Sequence, residues 1–462
     1  HKATVQKVNM DNNQRSHIGY LGHASYSYDD RYFLTGSYRR DGASVFGVNQ
    51  KWGDFFAFGG AWRLSSEKFM SSISYLDDLK LKLSWGKNGN QGLDPYGTLS
   101  TINNGASGGV RYEFGGSDII YGLNQKALGN ANLGWETTES WNTGFESAWL
   151  GSRLFVDLDL YFSKTTDQIF TRDIPVMTGF KNMKSSMGQV NNRGVELTIR
   201  SVNIDTQDWY WTTNLTFWLN RNKLIHLYGE DLDGDGREDD DISNSRFIGK
   251  PLGAIYGYLQ DGIVQETDVE YMKANGATPG IPKYKDMDND GVITSADRII
   301  LGYSTPNFKL NMSNTITYKN WDLYFMLTGT FGGGGYYQKS NKGAYLTNGS
   351  GRFNTNGIYI PWWTPENKSN EYPAATFNDD GGRFLGLQNR AFVRLQDVTL
   401  SYTFREPWVQ KVNIQNLKVF FTAKNLFTIT KWQGGDPEVG VTVSENTYPV
   451  LTSFSLGANI SF

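Results

Sequence analysis

Apolar and polar side chains alternate along many stretches of this chain. In RLFVDLDLYFS, Leu154, Val156, Leu158, Leu160 and Phe162 share one parity, and Phe155, Asp157, Asp159, Tyr161 and Ser163 share the other. In WDLYFMLTGTF, Trp321, Leu323, Phe325, Leu327 and Phe331 oppose Asp322, Tyr324, Thr328 and Thr330; in GVELTIR, Val195, Leu197 and Ile199 oppose Glu196, Thr198 and Arg200. The final stretch, TSFSLGANISF, sets Phe454, Leu456, Ala458, Ile460 and Phe462 against serine, glycine and asparagine. Successive side chains of a strand point to opposite faces, so each stretch predicts a strand with one apolar and one polar face. The pattern is less clean over 210–220 and 416–425. Extended along the chain, it predicts thirteen strands, near 16–28, 31–40, 53–64, 79–87, 137–149, 152–165, 188–203, 209–224, 308–319, 321–331, 392–404, 414–428 and 452–462.

A soluble sandwich alternates too, so the links between strands carry more information. Short links at Asp29-Asp30, Gly151, 205–208 and Asn320, and moderate ones at 65–78 and 405–413, take turns with long ones at 41–52, 88–136, 166–187, 225–307, 332–391 and 429–451. Regular alternation of tight and long links predicts a transmembrane antiparallel β-barrel with periplasmic turns and long extracellular loops. Strands of ~9 to 11 residues span a bilayer, and most of these are long enough. An aromatic last residue on the outward face then reads as the sorting signal of such barrels. An odd number of strands makes the first and last run the same way, so they cannot close as an antiparallel pair. Open edges in lipid leave backbone groups unsatisfied, and the expectation is therefore part of a larger barrel.

Composition fits that picture. The 462 residues include 26 Tyr, 27 Phe, 14 Trp and 52 Gly, yet mean hydropathy is only -0.48, as many strands and large polar loops require. The net charge of -3 gives no reason to expect nucleic acid as a partner. Absence of cysteine excludes disulfides, thiolate metal sites and a cysteine nucleophile. No apolar run approaches the ~18 residues of a spanning helix, which leaves barrels open.

Nine separated stretches, in order, carry a family resemblance. They are YFLTGSYRRDGAS (32–44), FGGAWRLSSEKFM (58–70), LKLSWGKNGNQG (81–92), NANLGWETTESWNTGFE (130–146), GQVNNRGVEL (188–197), GKPLGAIYGY (249–258), DMDNDGVITSADRIILGYSTP (286–306), NLFTITKWQGGDPE (425–438) and the terminal strand. Together they resemble the C-terminal half of the SusC/RagA-type TonB-dependent transporters of Bacteroidetes outer membranes. The resemblance implies a barrel of about 22 strands closed by an N-terminal plug, energised through TonB and capped by a SusD-like surface lipoprotein, with a dimer of such pairs as a further arrangement. It implies import of oligosaccharides or peptides across the outer membrane. The chain starts HKATVQKVNM, with no plug or TonB box in it, so residues 1–462 are expected to be the C-terminal part of the receptor barrel. Two other readings stay open: uptake of an iron chelate or cobalamin, and a scaffold or adhesive barrel that transports nothing.

The sharpest local motif is DMDNDGVITSAD, 286–297. Asp286, Asp288, Asp290 and Asp297 occupy positions 1, 3, 5 and 12 of a calcium loop, with Gly291 at the sharp turn and Val292 offering its carbonyl. The alternative is a solvated acidic turn whose Asx turns need no ion. A weaker copy, EDLDGDGREDDD, sets Asp231, Asp233 and Asp235 in the same register but has Ile242 at position 12. Calcium would be structural in either loop.

Trp362 and Trp363, in PWWTPEN, could stack on a sugar or a lid protein, or could anchor a long loop to the rim. Asp157 and Asp159 lie ~6 to 7 Å apart on the polar face, but glycoside hydrolysis needs one carboxyl kept neutral in an apolar niche. A wet lumen offers none, so no enzyme is expected. The four histidines show no metal-ligand spacing, and FGGGGYY (331–337) lacks the strand-to-helix context of a phosphate loop. Trp209 and Trp211 are candidates for the periplasmic aromatic girdle.

Overall fold

The computed structural model describes residues 13–104, 111–113, 119–336, 361–374, 377, 387–405, 407–411, 414–432, 436–438 and 450–462. His1 lies outside them. Thirteen strands form one sheet, each hydrogen-bonded to its neighbours in chain order. They are β1 (His17–Tyr28), β2 (Tyr32–Ala43), β3 (Trp52–Arg63), β4 (Leu76–Asn90), β5 (Glu136–Trp149), β6 (Leu154–Asp173), β7 (Asn182–Asp205), β8 (Trp209–His226), β9 (Pro306–Tyr318), β10 (Trp321–Gly332), β11 (Phe392–Phe404), β12 (Asn416–Thr430) and β13 (Ser453–Ser461). Every pairing is antiparallel, so the sheet is an up-and-down wall of the kind a transmembrane barrel requires. Among the described residues β1 and β13 pair on one side only, and β1 is exposed at every position.

The tight turns follow from backbone chemistry. Asp29 and Asp30 both adopt left-handed φ angles of 52° and 54°, which two-residue hairpin loops require and Asp tolerates. Parity then sorts the side chains. Leu158, Leu197, Phe217 and Leu310 stand in one row across β6 to β9, and one step along, Asp159 faces Glu196, Glu196 faces Trp218 and Trp218 faces Lys309. The first row faces lipid and the second faces the lumen. Exposed Leu81, Leu83, Leu160, Phe162, Phe454 and Leu456 belong to the lipid face.

Near the short turns the lipid face ends in aromatic pairs: Tyr32 with Trp62 (6.4 Å), Tyr75 with Trp149 (5.9 Å), Trp209 with Tyr318 (4.4 Å) and Trp321 with Tyr402 (4.8 Å). Amphipathic rings at this level mark the periplasmic interface. Trp209 takes the girdle position; Trp211 is half-buried, and its Nε1 donates to Oδ1 of buried Asn314 at 2.9 Å.

Two links expected to be long are short. β6 and β7 run on as one tall hairpin with only 174–181 between them, and β2 and β3 leave only 44–51. Pairing of β6 with β7 continues past the membrane, because Ile169 packs against the Phe46 cluster and Phe170 against Leu224 and Leu227. The periplasmic link 64–75, which holds two short 3-10 turns, is therefore longer than either of these extracellular links, and strict sorting by length fails there.

Buried apolar residues gather above the wall rather than in the lumen. One cluster joins Ala43, Val45, Phe46, Leu93 and Leu133; a second joins Val190, Leu224 and Leu227; a third joins Ile263 and Trp363. Small hairpins shape the loops, among them Ala254–Tyr258 with Arg298–Tyr303 and Gln260–Ile263 with Pro282–Tyr284. Among the described residues no helix is long and apolar enough to cross a membrane.

Candidate functional site in the lumen and the 227–305 loop

On the luminal side of β4, β5 and β6, one lysine gathers three carboxylates. Lys82 Nζ lies 2.9 Å from Asp157 Oδ1, 3.2 Å from Asp159 Oδ2 and 3.2 Å from Glu146 Oε1. The reach is possible because Lys82 and Asp159 both stand opposite Gly144, which puts no side chain between them. Asp157 and Asp159 thus share a cation, and neither sits in the apolar niche that a neutral general acid needs.

The 227–305 loop is organised by its acids. Glu238 Oε1 accepts from the backbone N–H groups of Leu227, Tyr228 and Gly229 at 2.6 to 2.7 Å, while Oε2 lies 2.5 Å from His226 Nδ1. Burial pushes this carboxyl up, but the N–H groups of Gly229 and Leu227 and the His226 ring outweigh it, so it rests below its ordinary value. Asp241 bonds Tyr228 Oη (3.2 Å) and Arg246 Nη1 (3.1 Å), and Arg172 on β6 pairs with Glu230. These contacts tie the loop to the tall hairpin.

In the 286–297 loop, carboxylate oxygens of Asp286, Asp288 and Asp290 lie within 4.8 Å of one another. Asp286 accepts from Asn289 N (2.6 Å) and Gly291 N (2.7 Å), with Asn289 and Gly291 in left-handed conformations at φ 63° and 88°. Val292 donates its N–H to Asp290 Oδ1 at 2.8 Å. Asp297 is fully buried and stands outside the trio; its two oxygens accept from Met287 N and Thr294 N, both at 2.7 Å. Those donors, Thr294 first and Met287 next, hold its carboxyl below the usual range. Asp288 is pushed the other way by partial loss of hydration and by the charges of Asp290 and Asp297.

The second acidic loop closes differently from its sequence register. Asp231 and Asp233 meet Asp239, not Asp235, within 4.8 Å. Asp235 instead accepts from Arg237 N at 2.8 Å. Asp239 Oδ2 accepts from Leu232 N at 2.7 Å, the counterpart of the Asp297 bond to Met287. Spacing alone gave no sign of Asp239, because the chain reverses between Asp235 and Asp239.

Trp363 is buried against Ile263, with Tyr284, Ala374 and Phe377 around it, and its Nε1 donates to Gln265 Oε1 at 2.9 Å. A side chain on Gly280 would strike its ring, 2.6 Å away. Trp362 is half-buried, and its carbonyl accepts from Asn367 Nδ2 at 2.6 Å. Trp363 thus sits in the loop's own core, and Trp362 beside it is only partly covered.

A family model described as "TonB dependent receptor-like, beta-barrel" matches residues 4–426. The chain belongs to that family. The TonB-dependent receptor SusC of Bacteroides thetaiotaomicron is 29% identical over 478 residues, covering 100% of this chain and 45% of SusC. TonB-dependent receptor P3 of Formosa agariphila is 28% identical over 469 residues, covering 97% of this chain and 46% of the relative. The solved RagAB peptide transporter shares the fold, with a TM-score of 0.77 at 24% identity over 97% of this chain and 48% of that one. The chain spans about half the length of the curated relatives it matches. The receptor barrel is an outer-membrane protein, and the members of its family are transporters. Within it, the Lys82 cluster faces the lumen and the 227–305 loop links the outer ends of β8 and β9.

Proposed function

We propose that this chain is the wall and outer rim of a nutrient importer, driven through TonB and working with a SusD-like surface lipoprotein to take up oligosaccharides or peptides. The observation that carries the reading is the end-to-end match to SusC, which runs through lumen-facing strands and rim loops alike. A polar, charge-lined lumen suits a hydrated cargo. The barrel would be completed by strands pairing with the free sides of β1 and β13, because hydrocarbon leaves no other partner for their backbone groups. The deciding experiment purifies the full-length receptor from its native membrane and identifies its companions and lumen contents by mass spectrometry. A co-purifying acylated lipoprotein with a bound glycan or peptide, and loss of uptake without TonB, are expected. Isolation without a lipoprotein, or growth that depends on the receptor only under iron or cobalamin limitation, would overturn the reading.

We propose further that the 286–297 loop holds a structural calcium ion. Three converging carboxylates, the Gly291 turn and the Val292 carbonyl fit a hard cation. Asp297 would have to trade one backbone bond for the ion. The 231–239 trio is a weaker candidate of the same kind, since it has fewer oxygens at the spacing a calcium loop uses.

A further inference from the structure

Where the apolar stripe of β6, β7 and β8 meets the loop end, lipid-facing parity is taken over by cations. Phe162 stands opposite Arg193, which stands directly opposite Arg221; one step outward, Lys164 stands opposite Asn191, which stands opposite Lys223. Arg193, Arg221 and Lys223 are exposed and Lys164 half-exposed. Among the described residues none of the four makes an ion pair. Arg221 Nη1 reaches only the carbonyls of Asn220 (3.0 Å) and Asn307 (2.6 Å). The nearest acid across the ladder is Glu139, opposite Lys164, and its Oε1 accepts from Trp85 Nε1 at 2.8 Å.

Like charges directly opposite on neighbouring strands repel. Some charges of this barrel are paired, as Lys82 is in the lumen and Arg40 with Asp54 (3.8 Å) on the lipid face, and luminal Arg200 and Lys309 lie over the rings of Phe155 (5.6 Å) and Trp218 (5.8 Å). The level of the cluster explains why this patch is different. From Leu154, at the short-turn end, to Lys164 the strand climbs about ten residues of ~3.3 Å at a tilt of ~40°, or ~25 Å, the height of the apolar band. Lys164 and Lys223 therefore stand at the headgroup level of the outer leaflet, and Arg193 and Arg221 start ~5 Å below it, a gap that their long side chains span. There the phosphate groups of the lipid headgroups are counter-ions within reach. Planar guanidinium groups bind phosphate oxygens in pairs, and flanking ammonium groups add charge.

We propose that Lys164, Arg193, Arg221 and Lys223 form a binding site for the phosphate group of an outer-leaflet glycolipid, fixed to the outside of the β6–β8 wall. Its acyl chains would lie along Leu160, Phe162, Val195 and Leu219. The site rests on the barrel's place in the membrane and not on what the receptor imports.

The test uses the full-length receptor in nanodiscs doped with phosphorylated lipid A or with the same lipid enzymatically dephosphorylated. Lipid retained after detergent extraction is counted by native mass spectrometry. The phosphorylated form is expected to stay bound at least tenfold more than the dephosphorylated form, and R193Q/R221Q is expected to abolish the difference. R200Q, the same charge change on the luminal face of β7, should leave it intact. If the double variant does not fold, judged by heat-modifiable migration, K164Q/K223Q carries the test and should lower retention several-fold. Equal retention in wild type and variants, or equal retention of both lipids, overturns the proposal. Displacement of the lipid by millimolar inorganic phosphate also overturns it, by making the site one for a soluble anion.

Discussion

Gly144 stands directly across the ladder from Asp159, and a Cβ on Gly144 would fall 2.6 Å from Asp159 Oδ1 and 2.1 Å from the Leu158 carbonyl oxygen. That gap lets Lys82 reach two strands away. Substituting Gly144 with valine should push Asp159 off Lys82 and strain the β5–β6 ladder. Lys82→Met should leave Glu146, Asp157 and Asp159 repelling one another, at a cost of roughly 1 to 2 kcal/mol for partly hydrated groups, whereas Lys82→Arg should cost less. The midpoint of heat-modifiable migration reads both effects, and unchanged midpoints for G144V and K82M would count against the cluster.

Glu238 makes the 227–252 segment sensitive to acid. Its carboxyl lies below its ordinary 4.5 in the folded protein, so the stabilisation it gives is complete above that pH and is lost as pH falls through the folded value. Limited proteolysis of this segment should accelerate between pH 5 and lower pH in wild type. Glu238→Gln should be cut faster than wild type at pH 7 and change little on acidification. A variant that keeps the wild-type pH profile would assign the effect to another group.

Calcium should protect the 286–297 loop. Titration calorimetry on the full-length receptor is expected to show binding at roughly 10⁻⁴ to 10⁻³ M, the range of extracellular calcium modules, with Asp286→Asn or Asp288→Asn abolishing it. Chelator should make the 227–305 loop more sensitive to protease. No heat up to millimolar calcium would leave the loop as a self-sufficient set of Asx turns.

Trp363 separates an anchoring role from a cargo-stacking one. Trp363→Ala removes the centre of a buried cluster and takes the indole donor from Gln265 Oε1, costing about 3 kcal/mol locally. The loop should be nicked by protease, while Trp363→Phe should restore most of its resistance. Uptake by the phenylalanine variant close to wild type fits an anchor; a large rise in KM with an intact loop would favour stacking.

The wall was readable because its chemistry is periodic. Leu154 to Phe162 and Trp321 to Phe331 alternate with few exceptions, Phe155, Met326 and Gly329 among them, and all thirteen strands of the sheet lie where alternation places them, most within a few residues at each end. Upper strand ends were less legible. Beyond Thr165 and below Val190, β6 and β7 alternate less strictly and contain register shifts near Gln168, yet they stay paired because Phe170 and Val190 pack against the loop core. The loops were legible only where a regular acidic register sets the spacing. Asp286, Asp288 and Asp290 converge as their register implies, but Asp239 enters its trio through a chain reversal, and Glu238 caps three amides through a fold that no local motif encodes.

The reach of β6 and β7 has a geometric result. A strand of about 20 residues at ~3.3 Å and a tilt of ~40° rises ~50 Å, about twice the ~25 Å apolar band, and so β6, Leu154–Asp173, carries the wall far beyond the bilayer. β2 and β3 stop much sooner, at Ala43 and Trp52. The top of the described wall is therefore uneven, tall at β6 and β7 and low at β2 and β3, and the two levels meet where Ile169 of the tall hairpin leans on the Phe46 cluster beside the low link.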